Sequence, residues 1–67
     1  MHVVVNNEKK EVALESTLHD LLAGLSLLEG KGIAVAVNNS VVSRDKWLLQ
    51  KLSNEDKITI IKATQGG

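Results

Sequence analysis

Cysteine is absent from this chain. No disulfide can staple the fold, no thiolate can attack a substrate, and no cysteine-based metal site can form. That fits a cytoplasmic protein better than a small secreted one. Phe and Tyr are absent too, and Trp47 is the only aromatic. The core must therefore come from Leu, Val and Ile, which make up most of the 43% of residues that are hydrophobic. Charge of one sign is also lacking: 8 basic and 8 acidic residues cancel and are scattered along the chain. Nucleic-acid and anionic-membrane binding usually rest on a basic stripe, so neither partner is expected. The longest apolar run, Ile33 to Val37, is far too short to span a bilayer. No charged segment followed by an apolar stretch opens the chain, so no signal peptide is expected.

What is present fits one small domain. With 67 residues there is no room for a second core. Met1 to Val5 is β-branched and predicts a strand, and Asn6-Asn7-Glu8 predicts a tight turn because Asn tolerates left-handed backbone. Lys10 to Glu15 alternates, with Val12 and Leu14 on one face and Glu11 and Glu15 on the other, which predicts a half-wet strand. Thr17 with Asp20 fits a capping box at a helix start. Leu18, Leu21, Leu22, Leu25 and Leu28 then recur at helical spacing. Gly24 lies inside that stripe, where close packing on the sheet is the expected reason, and Gly30-Lys31-Gly32 is expected to end the helix as a turn.

Ile33 to Val37 predicts a third strand, with Ile33, Val35 and Val37 opposite small Ala34 and Ala36. Asn38-Asn39-Ser40 predicts a turn and Val41-Val42 a short strand. Ser43 to Leu52 reads as irregular with one helical turn, Ser53 to Asp56 as a polar turn, and Lys57 to Lys62 as the last strand. The first and last strands carry apolar residues on both faces, which suits neighbouring interior strands. The expected fold class is α+β: a β-grasp, with a mixed four- to five-stranded sheet packed on one main helix. Residues 1–62 are expected to form the domain and 63–67 a flexible tail.

Side-chain chemistry is sparse. His2 and His19 have no acidic cluster around them in sequence and read as surface residues, so no metal site is expected. Ser16, Ser26, Ser40, Ser43 and Ser53 sit at turns or helix ends, where hydroxyls satisfy backbone groups. None lies in a nucleophile elbow. Trp47 reads as an anchor beside the sheet. The chain is therefore expected not to be an enzyme and to hold no cofactor of its own.

The Gly66-Gly67 terminus stands apart. Two terminal glycines arise by chance in about one chain in 200. The α-carboxyl of Gly67 is a poor acyl donor until ATP converts it to a mixed anhydride with AMP. For that a tail must thread a narrow channel in an activating enzyme, and glycine lacks the Cβ that would obstruct it. Gly67 is thus the expected site of modification, with Gly66 and Gln65 threading behind it. Val4, Thr59 and Ile61 fall on the face opposite Val3, Val5, Ile58 and Ile60. Neighbouring strands would set Val4 and Ile61 side by side, as an apolar partner patch next to the tail.

Residues Val37 to Trp47, VNNSVVSRDKW, resemble the segment V-N-x-x-V-V-P-R-x-x-W of bacterial thiamine-biosynthesis sulfur carriers (ThiS). Glu55 to Ile60 resembles their G-D-x-I-x-I turn and last strand, and Gly66-Gly67 their terminus. The likeness covers the whole chain in length and element order. Ser43 replaces the usual proline, Glu55 the glycine before the aspartate, and Gln65 the commoner small residue.

The resemblance implies a ubiquitin-like β-grasp whose Gly67 is adenylated by an ATP-using activating enzyme. Gly67 is then converted to a thiocarboxylate with sulfur from a donor protein, and that sulfur passes to a thiazole synthase. Without cysteine, no side chain could carry a persulfide, so only the terminus can hold sulfur. The small subunit of molybdopterin synthase uses similar tail chemistry, but it is usually longer and approaches its glycines through prolines, which this chain lacks. A ubiquitin-type modifier would form amides with lysines instead. A β-grasp interaction module would use its sheet face and ignore the tail.

Overall fold

A computed structural model describes residues 1–28 and 32–62. Strands β1 (His2–Val5) and β2 (Glu8–Glu11) form an antiparallel hairpin in which Val5 faces Glu8. Asn6 and Asn7 alone make the turn, with φ of 48° and 71°. Two successive positive φ values match the right-handed twist of the flanking strands, and Asn bears them better than most residues. The turn is therefore one residue shorter than expected, and the second strand starts at Glu8. That shift corrects the Lys10–Glu15 assignment: Val12 is half-buried, but Leu14 lies beyond the strand and is 76% exposed.

Helix α1 (Leu18–Gly24) begins with the expected capping box. The Thr17 N–H donates to Asp20 Oδ2 at 2.9 Å, and the Asp20 N–H donates to Thr17 Oγ1 at 3.1 Å. Two more of the helix's opening amides find partners outside it: Leu18 N–H donates to Gln50 O and His19 N–H to Trp47 O. The first turn is thereby satisfied by its cap and by the 47–50 loop.

The helix ends earlier than its leucine spacing predicts. Ser26 takes φ 62°, its N–H donates to Ala23 O, and Leu27 N–H donates to Leu22 O five residues back. That paired arrangement is a Schellman motif, and it closes the helix at Leu25. Leu25, Leu27 and Leu28 still pack against the core, but from the loop. A Cβ built on Gly24 would meet nothing within 4 Å, so close packing does not explain this glycine. It stands instead at the helix end, where its poor helix propensity matters least. Gly32 follows at φ 73°, while Gly30 and Lys31 lie outside the described residues.

Strand β3 (Ile33–Val37) turns through Asn38 and Asn39, with φ of 50° and 72°, into the two-residue β4 (Ser40–Val41). A short 3₁₀ turn, Arg44–Lys46, leads to Trp47, and β5 (Lys57–Lys62) completes the sheet. The strand order is β2-β1-β5-β3-β4, with β1 and β5 parallel and the other pairs antiparallel. The expected neighbouring of the first and last strands is thus observed.

One face of the sheet carries Val3, Val5, Val35, Val37, Ile58 and Ile60, all buried with Leu18, Leu21 and Leu22 of α1. Each such side chain contributes about 1.5–3 kcal/mol by leaving water. Trp47 is 2% exposed, and its Nε1–H donates to Val42 O at 3.0 Å. The Arg44 guanidinium lies 4.9 Å from its ring centre. Trp47 is therefore the anchor its setting predicted. No helix among the described residues is long and apolar enough to cross a membrane.

Candidate functional site

β5 is the central strand and the route by which the chain reaches its last five residues. Gln65, Gly66 and Gly67 lie outside the described residues, so the geometry of the candidate site is that of the strand and the face beside it. Along β5, burial alternates: Ile58 and Ile60 are buried, while Lys57, Thr59 and Ile61 are exposed. Strand geometry sends successive side chains to opposite faces, so Thr59 and Ile61 share the face away from the helix.

Val4 occupies that same face and is half-buried, but it is not beside Ile61. The parallel register sets Val4 opposite Lys57 and Val5 opposite Ile58. Val4 and Ile61 are therefore offset by four residues along the sheet, about 13 Å at roughly 3.3 Å per residue. This corrects the expected side-by-side patch. Alternation identifies the face, whereas the offset between two strands depends on pairing far apart in sequence.

Ile61, 60% exposed, is paired instead with Ala34 across the β3–β5 ladder, and Thr59 with Ala36. Ala36 is paired in turn with Val41, which is 78% exposed. Ala34, Ala36, Val41 and Ile61 thus form an apolar surface, with Thr59 at its β5 margin beside Ala36. The β1–β2 half of the face differs: Lys9 stands opposite Val4, and Glu11 opposite His2. β5 ends at Lys62, paired with Ile33, in this apolar half. Sequence reading missed Val41 because its strand starts one residue earlier than expected, through the two-residue Asn38-Asn39 turn. The small residues at Ala34 and Ala36 were the available signal.

Elsewhere, polar groups are occupied locally. The Ser16 hydroxyl donates to Ala13 O at 2.6 Å and the Ser43 hydroxyl to Asp45 Oδ1 at 2.7 Å. The second bond holds the Asp45 carboxyl below its ordinary pKa, and the Thr17 backbone N–H, followed by its hydroxyl, does the same for Asp20. Both carboxylates are thereby stabilised in the charged form, which is unlike an acid poised to donate a proton. His2 Nε2 lies 3.9 Å from Glu55 Oε2 on the surface. Among the described residues no three His, Asp or Glu side chains gather where a metal could sit.

Comparison with known proteins decides the family. The ThiS family model matches residues 3–67, nearly the whole chain. The chain belongs to the ThiS family. The "Sulfur carrier protein ThiS" of Escherichia coli (strain K12) is 28% identical over 67 residues, covering all of both chains. The crystal structure of a thiamine biosynthesis protein (ThiS) from Geobacter metallireducens superposes with a TM-score of 0.83 at 22% identity, again over all of both chains. SAMP1 from Haloferax volcanii shares the fold at a TM-score of 0.61 and 14% identity, over 98% of this chain and 97% of that one. The β-grasp architecture expected from the strand and helix pattern is therefore observed.

One turn residue is held against its preference. Glu55 holds φ 68°. The turn before β5 demands left-handed backbone, and this chain meets the demand with a residue that resists it.

Proposed function

We propose that this chain is a cytoplasmic sulfur carrier of thiazole and thiamine biosynthesis, and that the α-carboxylate of Gly67 carries the sulfur. The observation that supports this most is the ThiS family match, which runs through Gly66 and Gly67 to residue 67. The end-to-end alignment with the E. coli sulfur carrier agrees with it. The lack of cysteine adds an independent chemical reason, because no side chain offers a sulfur atom that could be loaded and released.

In this reading the chain is a substrate and carrier, and its partners are the catalysts. An adenylating enzyme lets the Gly67 carboxylate attack the α-phosphorus of ATP, forming the acyl adenylate and releasing pyrophosphate. Sulfur from a donor protein, delivered to the carbonyl as a sulfide equivalent, displaces AMP and leaves a thiocarboxylate. A thiazole synthase then takes the sulfur. ATP is used by the activating partner and is not a cofactor of this chain.

Residues 63–67 can reach at most about 17 Å beyond β5, at roughly 3.3–3.6 Å per residue. A partner active site must therefore open close to the sheet. The apolar surface of Ile61, Thr59, Ala34, Ala36 and Val41 is the surface on which such a partner would rest, with Val4 at its far margin. Gln65 and Gly66 would thread the channel.

The test is intact and peptide mass spectrometry after incubation with ATP, the cognate activating enzyme and a sulfur source. One oxygen should be exchanged for sulfur, on the C-terminal peptide alone. Conjugates to lysines of other proteins without any thiocarboxylate would replace this reading with that of a protein modifier. An unchanged mass would leave a passive interaction module.

A further inference from the structure

The two Asn-Asn turns do more than reverse the chain. β1 leaves the sheet at Val5, yet β5 runs on to Lys62, so the later part of β5 loses its parallel neighbour. Asn6 N–H donates to Ile58 O at 2.9 Å, the last main-chain bond seen on that side. The Asn6 side chain then takes over. Its Oδ1 accepts the Ile60 N–H at 2.8 Å, and its Nδ2 donates to Ile60 O at 3.2 Å. A carboxamide presents one acceptor and a donor pair, as a peptide group presents C=O and N–H, so Asn6 extends the ladder by one more residue. Ile60 is thereby held two residues before β5 ends.

Asn38 occupies the equivalent place in the other turn and clamps the opposite end of β5. Its N–H donates to Lys57 O at 2.7 Å, its Oδ1 accepts the Lys57 N–H at 3.0 Å, and its Nδ2 donates to Asp56 Oδ1 at 2.9 Å. The same residue in the same conformation thus holds the start of the strand at one turn and its exit at the other.

We infer that Asn6 is a positioning residue for the acyl terminus: β3 pairs with β5 through Lys62 on one side, and on the side that β1 has left the Asn6 carboxamide supplies the hold on β5, at Ile60. This rests on the sulfur-carrier reading for its functional consequence. A strand end that frays adds conformations the tail must give up on entering an activating enzyme, which weakens productive binding without altering the adenylation chemistry. The effect should fall on KM for the carrier and leave kcat alone.

Asn6→Gly and Asn38→Gly separate this role from a merely structural one. Glycine adopts positive φ freely, so each substitution keeps its turn and removes only the carboxamide. Amide exchange measured by NMR on the free protein should quicken about tenfold at Ile60 in Asn6→Gly. The main-chain ladder between Val4, Val5 and the start of β5 should be unaffected. In Asn38→Gly the change should fall at Lys57. With the cognate adenylating enzyme, Asn6→Gly should raise the KM for the carrier severalfold at constant kcat, and Asn38→Gly should leave both unchanged.

Unchanged exchange at Ile60 would overturn the clamp. Equal KM for Asn6→Gly and wild type, or equal rises in both glycine variants, would overturn the positioning role. A wild-type chain that the activating enzyme does not adenylate would instead overturn the sulfur-carrier reading, and exchange at Ile60 would still decide on the clamp.

Discussion

Replacing Ile60 and, separately, Ile61 by aspartate moves a carboxylate one residue along β5 and from one face of the sheet to the other. Ile60 is 9% exposed and packs in the core with Val5 and Val35. Removing its side chain forfeits about 1.5–3 kcal/mol of burial. Placing an unpaired carboxylate in that space adds a desolvation penalty of comparable or larger size. A chain of 67 residues has a total stability of roughly 3–10 kcal/mol at the usual 0.05–0.15 per residue. Ile60→Asp should therefore leave the domain largely unfolded. Ile61 is 60% exposed, so Ile61→Asp should cost no more than about 1 kcal/mol, which lowers Tm by about 4–8 °C in a domain of this size. Urea and thermal unfolding followed by circular dichroism and by the buried Trp47 measure both. The milder pair keeps the contrast measurable: Ile60→Val should cost about 0.5–1.5 kcal/mol and Ile61→Val almost nothing. Binding to the activating enzyme should show the reverse order, with Ile61→Asp weakened although it folds. Equal destabilisation by the two aspartates would refute the assignment of faces, and unimpaired binding by Ile61→Asp would refute the docking surface.

Further consequences follow from single residues. Adding one residue after Gly67, or deleting it, should leave Tm unchanged and abolish adenylation in a pyrophosphate-release assay; an extended chain that still became thiocarboxylated would sink the terminal-acyl reading. Glu55→Gly relieves a left-handed glutamate and should stabilise the domain by about 0.5–1 kcal/mol, seen as a Tm higher by several degrees. Thr17→Ala removes the helix cap and should cost about 1 kcal/mol at neutral pH. The folded pKa of Asp20 lies below its ordinary 3.8, so the stability it adds is present above that value and lost as pH falls through the folded pKa. Thr17→Ala keeps the backbone N–H that lowers this pKa most, so the acid limb of a stability-against-pH curve should persist, whereas Asp20→Asn should flatten it below about pH 4.

Much of this protein was determined by local sequence. The capping box at Thr17 and Asp20 involves two side chains three residues apart, so no distant contact is needed to recognise it. The alternation of Ile58, Thr59, Ile60 and Ile61 assigns faces within one strand, because a strand's side-chain period is a local property. The reactive group proposed at Gly67 is legible for the same reason, being a property of the terminal residues themselves. What only the tertiary structure decided is registration between segments far apart in the chain. Ile61 lies beside Ala34 and not beside Val4, because the parallel pairing of β1 with β5 and the antiparallel pairing of β3 with β5 each set an offset that no single strand encodes. The helix stops at Leu25, although leucines continue at helical spacing, because Ser26 takes a left-handed turn and Leu27 still reaches the core from the loop. The first asparagine of each Asn-Asn turn, Asn6 or Asn38, looks like any asparagine that tolerates positive φ. Its hold on β5 exists only once strands more than fifty residues and nearly twenty residues away are brought against it.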